Sequence, residues 1–202
     1  MRSTRLQTSQ RGSDVQKIQT MFTRDESKPG HPVTDEWKPE CVWVRQGEGV
    51  PTVKLDGTNV KVENGQLFKR QKPKERDYDD AAYVPCDRAN PSDRWAWEAF
   101  DAGTTIAVGL ASRTIPPDGI YELVGPKIQG NPQQQVAHTI VRVVPPCPRV
   151  LLLEAPGADL ERTFTGLRNY LEAHPIEGLV FHHPDGRMAK IKRRDFGLKW
   201  PA

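Results

Sequence analysis

Alternation of apolar and polar residues, the mark of a half-buried strand, runs through residues 51–62 and 67–70, joined by Glu63-Asn64-Gly65-Gln66. Asn-Gly between two such runs is the strongest short-range hairpin signal, because both residues accept the positive φ of a tight turn. A two-residue loop sets Glu63 opposite Gln66, Lys61 opposite Phe68 and Asn59 opposite Arg70. Further strand-like runs lie at 41–44, 119–124, 139–144 and 149–153. A second hairpin is predicted where 176–181 and 188–192 flank Pro184-Asp185-Gly186-Arg187. Pairing Pro184 with Arg187 puts Phe181 opposite Lys190 and Leu179 opposite Lys192, so that Glu177, Lys190 and Lys192 share a face. Two lysines and a glutamate beside Leu179 and Phe181 are costly in a dry core. That face therefore reads as the lining of a polar cleft.

Helical spacing appears twice. Ser92 precedes Asp93-Arg94-Trp95-Ala96-Trp97-Glu98-Ala99-Phe100, with Gly103 beyond, a short capped helix whose tryptophans are expected to pack in the core rather than stack on bases. From Asp159, Leu160, Phe164, Leu167 and Leu171 recur at helical spacing up to His174-Pro175. Residues 71–93, dense in charge and proline, read as a surface excursion. Residues 1–17, polar and without an apolar face, read as a mobile N-terminal arm, leaving 18–202 as one domain. Hairpins dominate and strands do not alternate regularly with helices, which predicts an α+β fold of antiparallel sheets flanked by helices.

Composition narrows the setting. A 202-residue chain with 36% hydrophobic residues can bury one sizeable core. Its formal charge of +3 neither requires nor excludes a polyanionic partner. Cys41, Cys86 and Cys147 lie far apart without a CxxC pair, so neither a disulfide framework nor a zinc ribbon is indicated. No apolar run approaches a membrane span or a signal core. A reducing cytoplasmic setting is expected. His182 and His183 follow the Glu177 strand and read as a solvated hairpin end, not as metal ligands. The sequence names no protein partner, and a monomer is the default.

The chemistry concentrates in Lys54-Leu55-Asp56-Gly57-Thr58-Asn59. A lysine becomes a nucleophile only when its amine is neutral, a state favoured by desolvation, neighbouring cations or a metal. Lys190, Lys192 and Arg70, directed at the same cleft, would supply the cations and would also hold a phosphate. The glutamates suit a Mg²⁺ site or a ribose hydroxyl.

Lys54-Leu55-Asp56-Gly57 resembles motif I (KxDG) of the covalent nucleotidyltransferases, the superfamily of polynucleotide ligases and mRNA capping enzymes. Tyr121-Glu122-Leu123-Val124-Gly125 resembles motif III, Glu177-Gly178-Leu179-Val180-Phe181 motif IV, and Lys190-Ile191-Lys192 motif V. The four stand in the family's order. The segment from Glu122 to Pro132 is similar to ATP-dependent RNA ligases of phage type, and that from Gly186 to Pro201 to the 5′-3′ RNA ligase family that has a vertebrate member. The resemblance covers about residues 20–201 and is weakest over 72–118. It implies a nucleotidyltransferase (adenylation) domain without an OB domain, acting as an ATP-dependent RNA ligase in RNA repair. Lys54 would carry AMP, which passes to an RNA 5′-phosphate and is displaced by a 3′-hydroxyl. By motif position, Glu122 contacts the ribose, Glu177 holds Mg²⁺ or Mn²⁺, and Lys190 and Lys192 bind the AMP phosphate. Arg70 contacts AMP or the RNA end, and Asp56 orders the lysine and metal environment. No aromatic residue between 136 and 153 fills the adenine-stacking position. Rival readings are a DNA ligase, an enzyme that adenylates RNA 5′ ends without sealing them, and a non-catalytic RNA-end-binding module.

Overall fold

In the computed structural model, residues 18–71, 83–103, 115–143 and 160–199 are described. In chain order the strands are β1 (Gln19–Thr20), β2 (Phe22–Arg24), β3 (Val33–Trp37), β4 (Val50–Lys54), β5 (Thr58–Glu63), β6 (Gln66–Arg70), β7 (Tyr83–Pro85), β8 (Gly119–Val124), β9 (Thr139–Arg142), β10 (Gly178–His182) and β11 (Met188–Lys192). Among them lie the helices α1 (Val42–Arg45), α2 (Arg94–Asp101) and α3 (Phe164–Ala173). The result is a mixed α+β protein. One sheet runs β1-β11-β10-β4, a second runs β7-β6-β5-β8-β9, and β2 and β3 form a separate ribbon. The expected arm at 1–17, the strand at 149–153 and Cys147 lie outside the described residues.

The first hairpin has the predicted register: Glu63 faces Gln66, Lys61 faces Phe68 and Val60 faces Lys69. Val60, Val62 and Leu67 turn inward to a core shared with Tyr121, Leu123, Ile140 and α2. Asn59, Lys61 and Arg70 therefore occupy the opposite face, which Glu122 joins through its pairing with Asn59. The surface excursion ends in structure that its charge concealed, because Tyr83–Pro85 adds β7 to the sheet, with Tyr83 opposite Arg70.

The second hairpin is shifted by one residue from the expectation. Val180 faces Lys190 and Gly178 faces Lys192. The cause is a three-residue loop instead of a two-residue one. Gly186 N–H donates to the His183 carbonyl (3.0 Å), His183 N–H donates to the Arg187 carbonyl (2.9 Å), and Gly186 takes φ +95°. This shift removes the conflict that the expected register contained. Leu179, Phe181, Ala189 and Ile191 now fill a core with Leu167 and Leu171 of α3 and Met21 and Phe22, while the lysines occupy the other face.

Residues 41–44 are not a strand. Pro39 opens a 3-10 turn over Pro39–Cys41 that runs into α1, and Trp43 and Val44 are buried in the α3 core. Tertiary packing overrides the β preference of a Val-Trp-Val run. The tryptophans of α2 pack on the second core as expected, with Trp95 stacked on His138 at 4.5 Å.

Helix α3 starts at Phe164, where Thr163 Oγ1 accepts from Gly166 N–H at 3.0 Å. Its C-terminal carbonyls are met by the buried Arg193, which donates to the carbonyls of Leu171 and His174 and, through Nε, to that of Lys199. This guanidinium ties the helix to the residue next to Lys192. Arg193→Leu leaves those helix-end carbonyls unpaired and is expected to cost about 2–4 kcal/mol in urea unfolding.

Candidate active site

The site forms where the ends of β4, β10 and β11 meet the Glu122 face of the second sheet. Across the first sheet, Lys54, Gly178 and Lys192 share one rung, Thr52, Val180 and Lys190 the next, and Val50, His182 and Met188 the third. Residues on alternate rungs point to the same side. One face thus presents Lys54, Lys190 and Lys192 together, while the intervening rungs feed the core.

Glu177 stands just ahead of β10, and its carboxylate bridges the rung. Lys54 Nζ donates to Glu177 Oε2 at 2.6 Å and to the Leu55 carbonyl at 3.2 Å; Lys192 Nζ lies 3.7 Å from Glu177 Oε1. The three side chains are only 22%, 14% and 11% exposed for Lys54, Glu177 and Lys192. Burial, followed by the repulsion of Arg194, lowers the pKa of Lys192. The expected convergence of Glu177 with the lysines is present, reached by the shifted register.

Gly57 brings the Lys54 loop against β8. A Cβ there would lie 2.3 Å from the Leu123 carbonyl oxygen and 2.8 Å from Glu122 Cγ, so no side chain fits. Glu122 accepts from Gly57 N–H and from the Asn59 side chain, close to Lys54 and Glu177. Although part of its surface stays open, the surrounding protein pushes its carboxyl up to about 7, with Lys54 and the two hydrogen bonds opposing.

This shift has a testable sign. Between about pH 4.5 and 7 the folded protein keeps a proton that the unfolded chain has released, so this group makes stability fall as pH rises through that window. Glu122→Gln cannot ionise. It is expected to exceed the unsubstituted protein in stability by about 1–3 kcal/mol at pH 8 and to lose that advantage by about pH 4, read from urea unfolding at each pH.

Asp56 is half-buried, and its carboxylate has no hydrogen bond or ion pair among the described residues; its carbonyl accepts from Gln133 Nε2 at 3.3 Å. Arg70 stands exposed on the Glu122 face, two strands away through β5. Lys190 occupies the rung beside Lys192. The structure thus gathers Lys54, Glu122, Glu177 and Lys192 closely and sets Lys190, Asp56 and Arg70 around them.

Thr52 and Tyr83 escaped the sequence reading, and Asn59 and His182 take places it did not give them. Asn59 accepts from the Tyr83 hydroxyl at 2.5 Å, which extends the Glu122 network to β7. Thr52 and His182 lie on the lysine face, buried. His182 is therefore no solvated hairpin end: it is the last residue of β10, paired with Met188 and buried on the face of Val180. Period-2 alternation backward from Lys54 and forward from Val180 would have found both. Among the described residues no group of three or more His, Cys, Asp or Glu could hold a metal ion by itself, and no helix is long and apolar enough to cross a membrane.

The structure is an α+β protein in which glycine-tightened strands bring lysines and carboxylates together in one half-buried polar cleft, the kinds of group that can pair with a phosphate. A family model described as RNA ligase 1 matches residues 34–202, and the chain belongs to that family. It is 25% identical over 138 residues to RNA ligase 1 of the zebrafish Danio rerio, an alignment covering 59% of this chain. The chain spans 41% of that relative's length.

Proposed function

We propose that this chain is an ATP-dependent RNA ligase whose residues 18–202 form a nucleotidyltransferase catalytic domain. The carrying observation is the Lys54–Glu177–Lys192 rung, with Lys54 Nζ 2.6 Å from Glu177 and Lys192 beside it. Lys54, once it has released a proton, attacks the α-phosphorus of ATP. A P–N bond forms, the bond to the bridging oxygen breaks, and pyrophosphate leaves. The AMP then passes to an RNA 5′-phosphate, freeing Lys54, and a 3′-hydroxyl displaces AMP to close the phosphodiester. Lys190 and Lys192 hold the phosphate and meet the charge that builds on its oxygens. Arg70, on the outer part of the Glu122 face, suits AMP or the incoming RNA end. Glu122, held by Gly57 and Asn59, presents a carboxyl to a ribose hydroxyl.

The donor set fits Mg²⁺ or Mn²⁺. Such an ion needs only one or two carboxylates beside substrate phosphates and water. Glu177 supplies one next to Lys54, and Asp56 offers a second without a competing partner among the described residues. When bound, the ion would neutralise phosphate charge and favour the leaving pyrophosphate.

Incubation of the purified chain with labelled ATP, Mg²⁺ and a 5′-phosphorylated RNA tests the reading. The expected result is a covalent AMP adduct, pyrophosphate release and a sealed RNA. Adduct with 5′-adenylated RNA but no sealing would reduce the function to end adenylation, and sealing of DNA alone would make it a DNA ligase. Absence of adduct under every metal condition would leave a non-catalytic RNA-end-binding module.

A further inference from the structure

Lys192 is held at its backbone as well as at its ammonium. Met21 N–H donates to the Lys190 carbonyl at 3.0 Å, which carries the parallel β1–β11 ladder one residue past β1. The Met21 carbonyl is the acceptor that such a ladder would next offer to Lys192 N–H. It accepts from Lys38 N–H instead, at 2.9 Å. Lys192 N–H is therefore left without a strand partner, and Asp195 supplies one. Its Oδ2 accepts from Lys192 N–H at 2.9 Å, across the 3-10 turn that follows β11.

That bond brings a second buried carboxylate to the phosphate-holding lysine. Asp195 is only 1% exposed, and its Oδ1 accepts from Arg24 of β2 at 2.6 Å. The other terminal nitrogen of Arg24 donates to the His31 carbonyl at 2.7 Å, so the guanidinium is fixed on two sides. Arg193 cannot take its place, because it is committed to the carbonyls of Leu171, His174 and Lys199. Glu177 and Asp195 both attract the Lys192 ammonium, while Arg194 and Lys54 repel it. Two carboxylates thus compete for one ammonium, whose contact with Glu177 is loose at 3.7 Å. A buried carboxylate deprived of its cation draws on another. The Arg24 guanidinium is what occupies Asp195.

We propose that Arg24 is a positioning residue of the active site: by neutralising Asp195 it leaves the Lys192 ammonium to Glu177 and the nucleotide phosphate. This rests on the lysyl-nucleotide reading and extends the site to β2, a strand of the separate ribbon. Arg24 touches no reacting atom and acts only through Asp195 and Lys192.

The test measures the rate of covalent adduct formation at low ATP by intact-protein mass, scaled to the folded fraction of each variant. Arg24→Met keeps the stem, removes the charge and is expected to slow the reaction about 10-fold. Arg24→Lys restores the charge and should return the rate to within about threefold of the original. Asp195→Asn keeps an acceptor for Lys192 N–H and removes the competing charge, so in that background Arg24→Met should cost less than about twofold. This pair of variants also decides the matter where Arg24→Met alone does not fold. In Lys192→Met the same substitution should again add less than about twofold, because the group it positions is gone. A purely structural Arg24 would slow the reaction equally in every background. Equal losses in those backgrounds, or an Arg24→Met chain that folds and reacts at the original rate, overturn this proposal alone. Absence of adduct in the unsubstituted chain overturns the lysyl-nucleotide reading and this proposal with it.

Discussion

Protein carrying Lys54→Ala is expected to form no nucleotide adduct and seal no RNA, a loss of at least ~10³-fold, while keeping a cooperative unfolding transition. The side chain of Lys54 takes no part in the strand ladder. It ends β4 and spends its ammonium on Glu177 and the Leu55 carbonyl. Its removal leaves Glu177 with Lys192 at 3.7 Å, so the buried carboxylate keeps a cation and the fold loses little. Lys54→Arg separates two roles that alanine removes together. A guanidinium restores the positive charge beside Glu177 but cannot lose its proton near neutral pH. The arginine variant should therefore still bind ATP, read by calorimetry, and still form no adduct. An adduct in both variants, or peptide mapping that puts it on another lysine, would remove Lys54 from the chemistry.

Lys54, Glu177, Lys190 and Lys192 were legible in the sequence because their order along the chain carries information that no single position has. Spatial convergence was harder, because it depends on register, and register depends on loop geometry. Asn64-Gly65 enforces a two-residue turn, since both residues take positive φ, and the rungs from Glu63–Gln66 out to Val60–Lys69 followed. Asp185-Gly186 has the same look, but Gly186 alone takes positive φ and the loop is one residue longer. The alternation of Leu179, Phe181, Ala189 and Ile191 was the stronger guide. Four apolar side chains assigned to the core face would have returned the lysines to their observed rungs and exposed His182 as a buried residue. The Cys41-Val42-Trp43-Val44 run misled for another reason: its burial against α3, and not its backbone preference, decides its conformation. The β7 strand was hidden because three residues paired at a sheet edge leave almost no periodic signal.

Gly178 gives the largest expected effect on the fold, and one whose sign separates two physical effects. By strand propensity, replacing a glycine within a central strand with alanine should help by about 0.5–1 kcal/mol, since glycine loses more chain entropy on folding. The packing says otherwise. A Cβ at Gly178 would stand 2.2 Å from the Ile191 carbonyl oxygen and 2.9 Å from Lys192 Cα. Both are backbone atoms of the paired strand, so the contact cannot be relieved by turning a side chain. It requires β10 and β11 to separate at the rung that joins Lys54, Gly178 and Lys192. Gly178→Ala is accordingly expected to lose about 3 kcal/mol or more in urea unfolding, and Gly178→Val to fail to fold. Because the same separation carries Lys192 away from Glu177, nucleotide adduct formation in the alanine variant should fall well beyond its loss of folded protein. A Gly178→Ala chain as stable as the original would show that the strands accommodate a side chain there, and that the closeness of β10 to β11 is not what holds the lysines on one carboxylate.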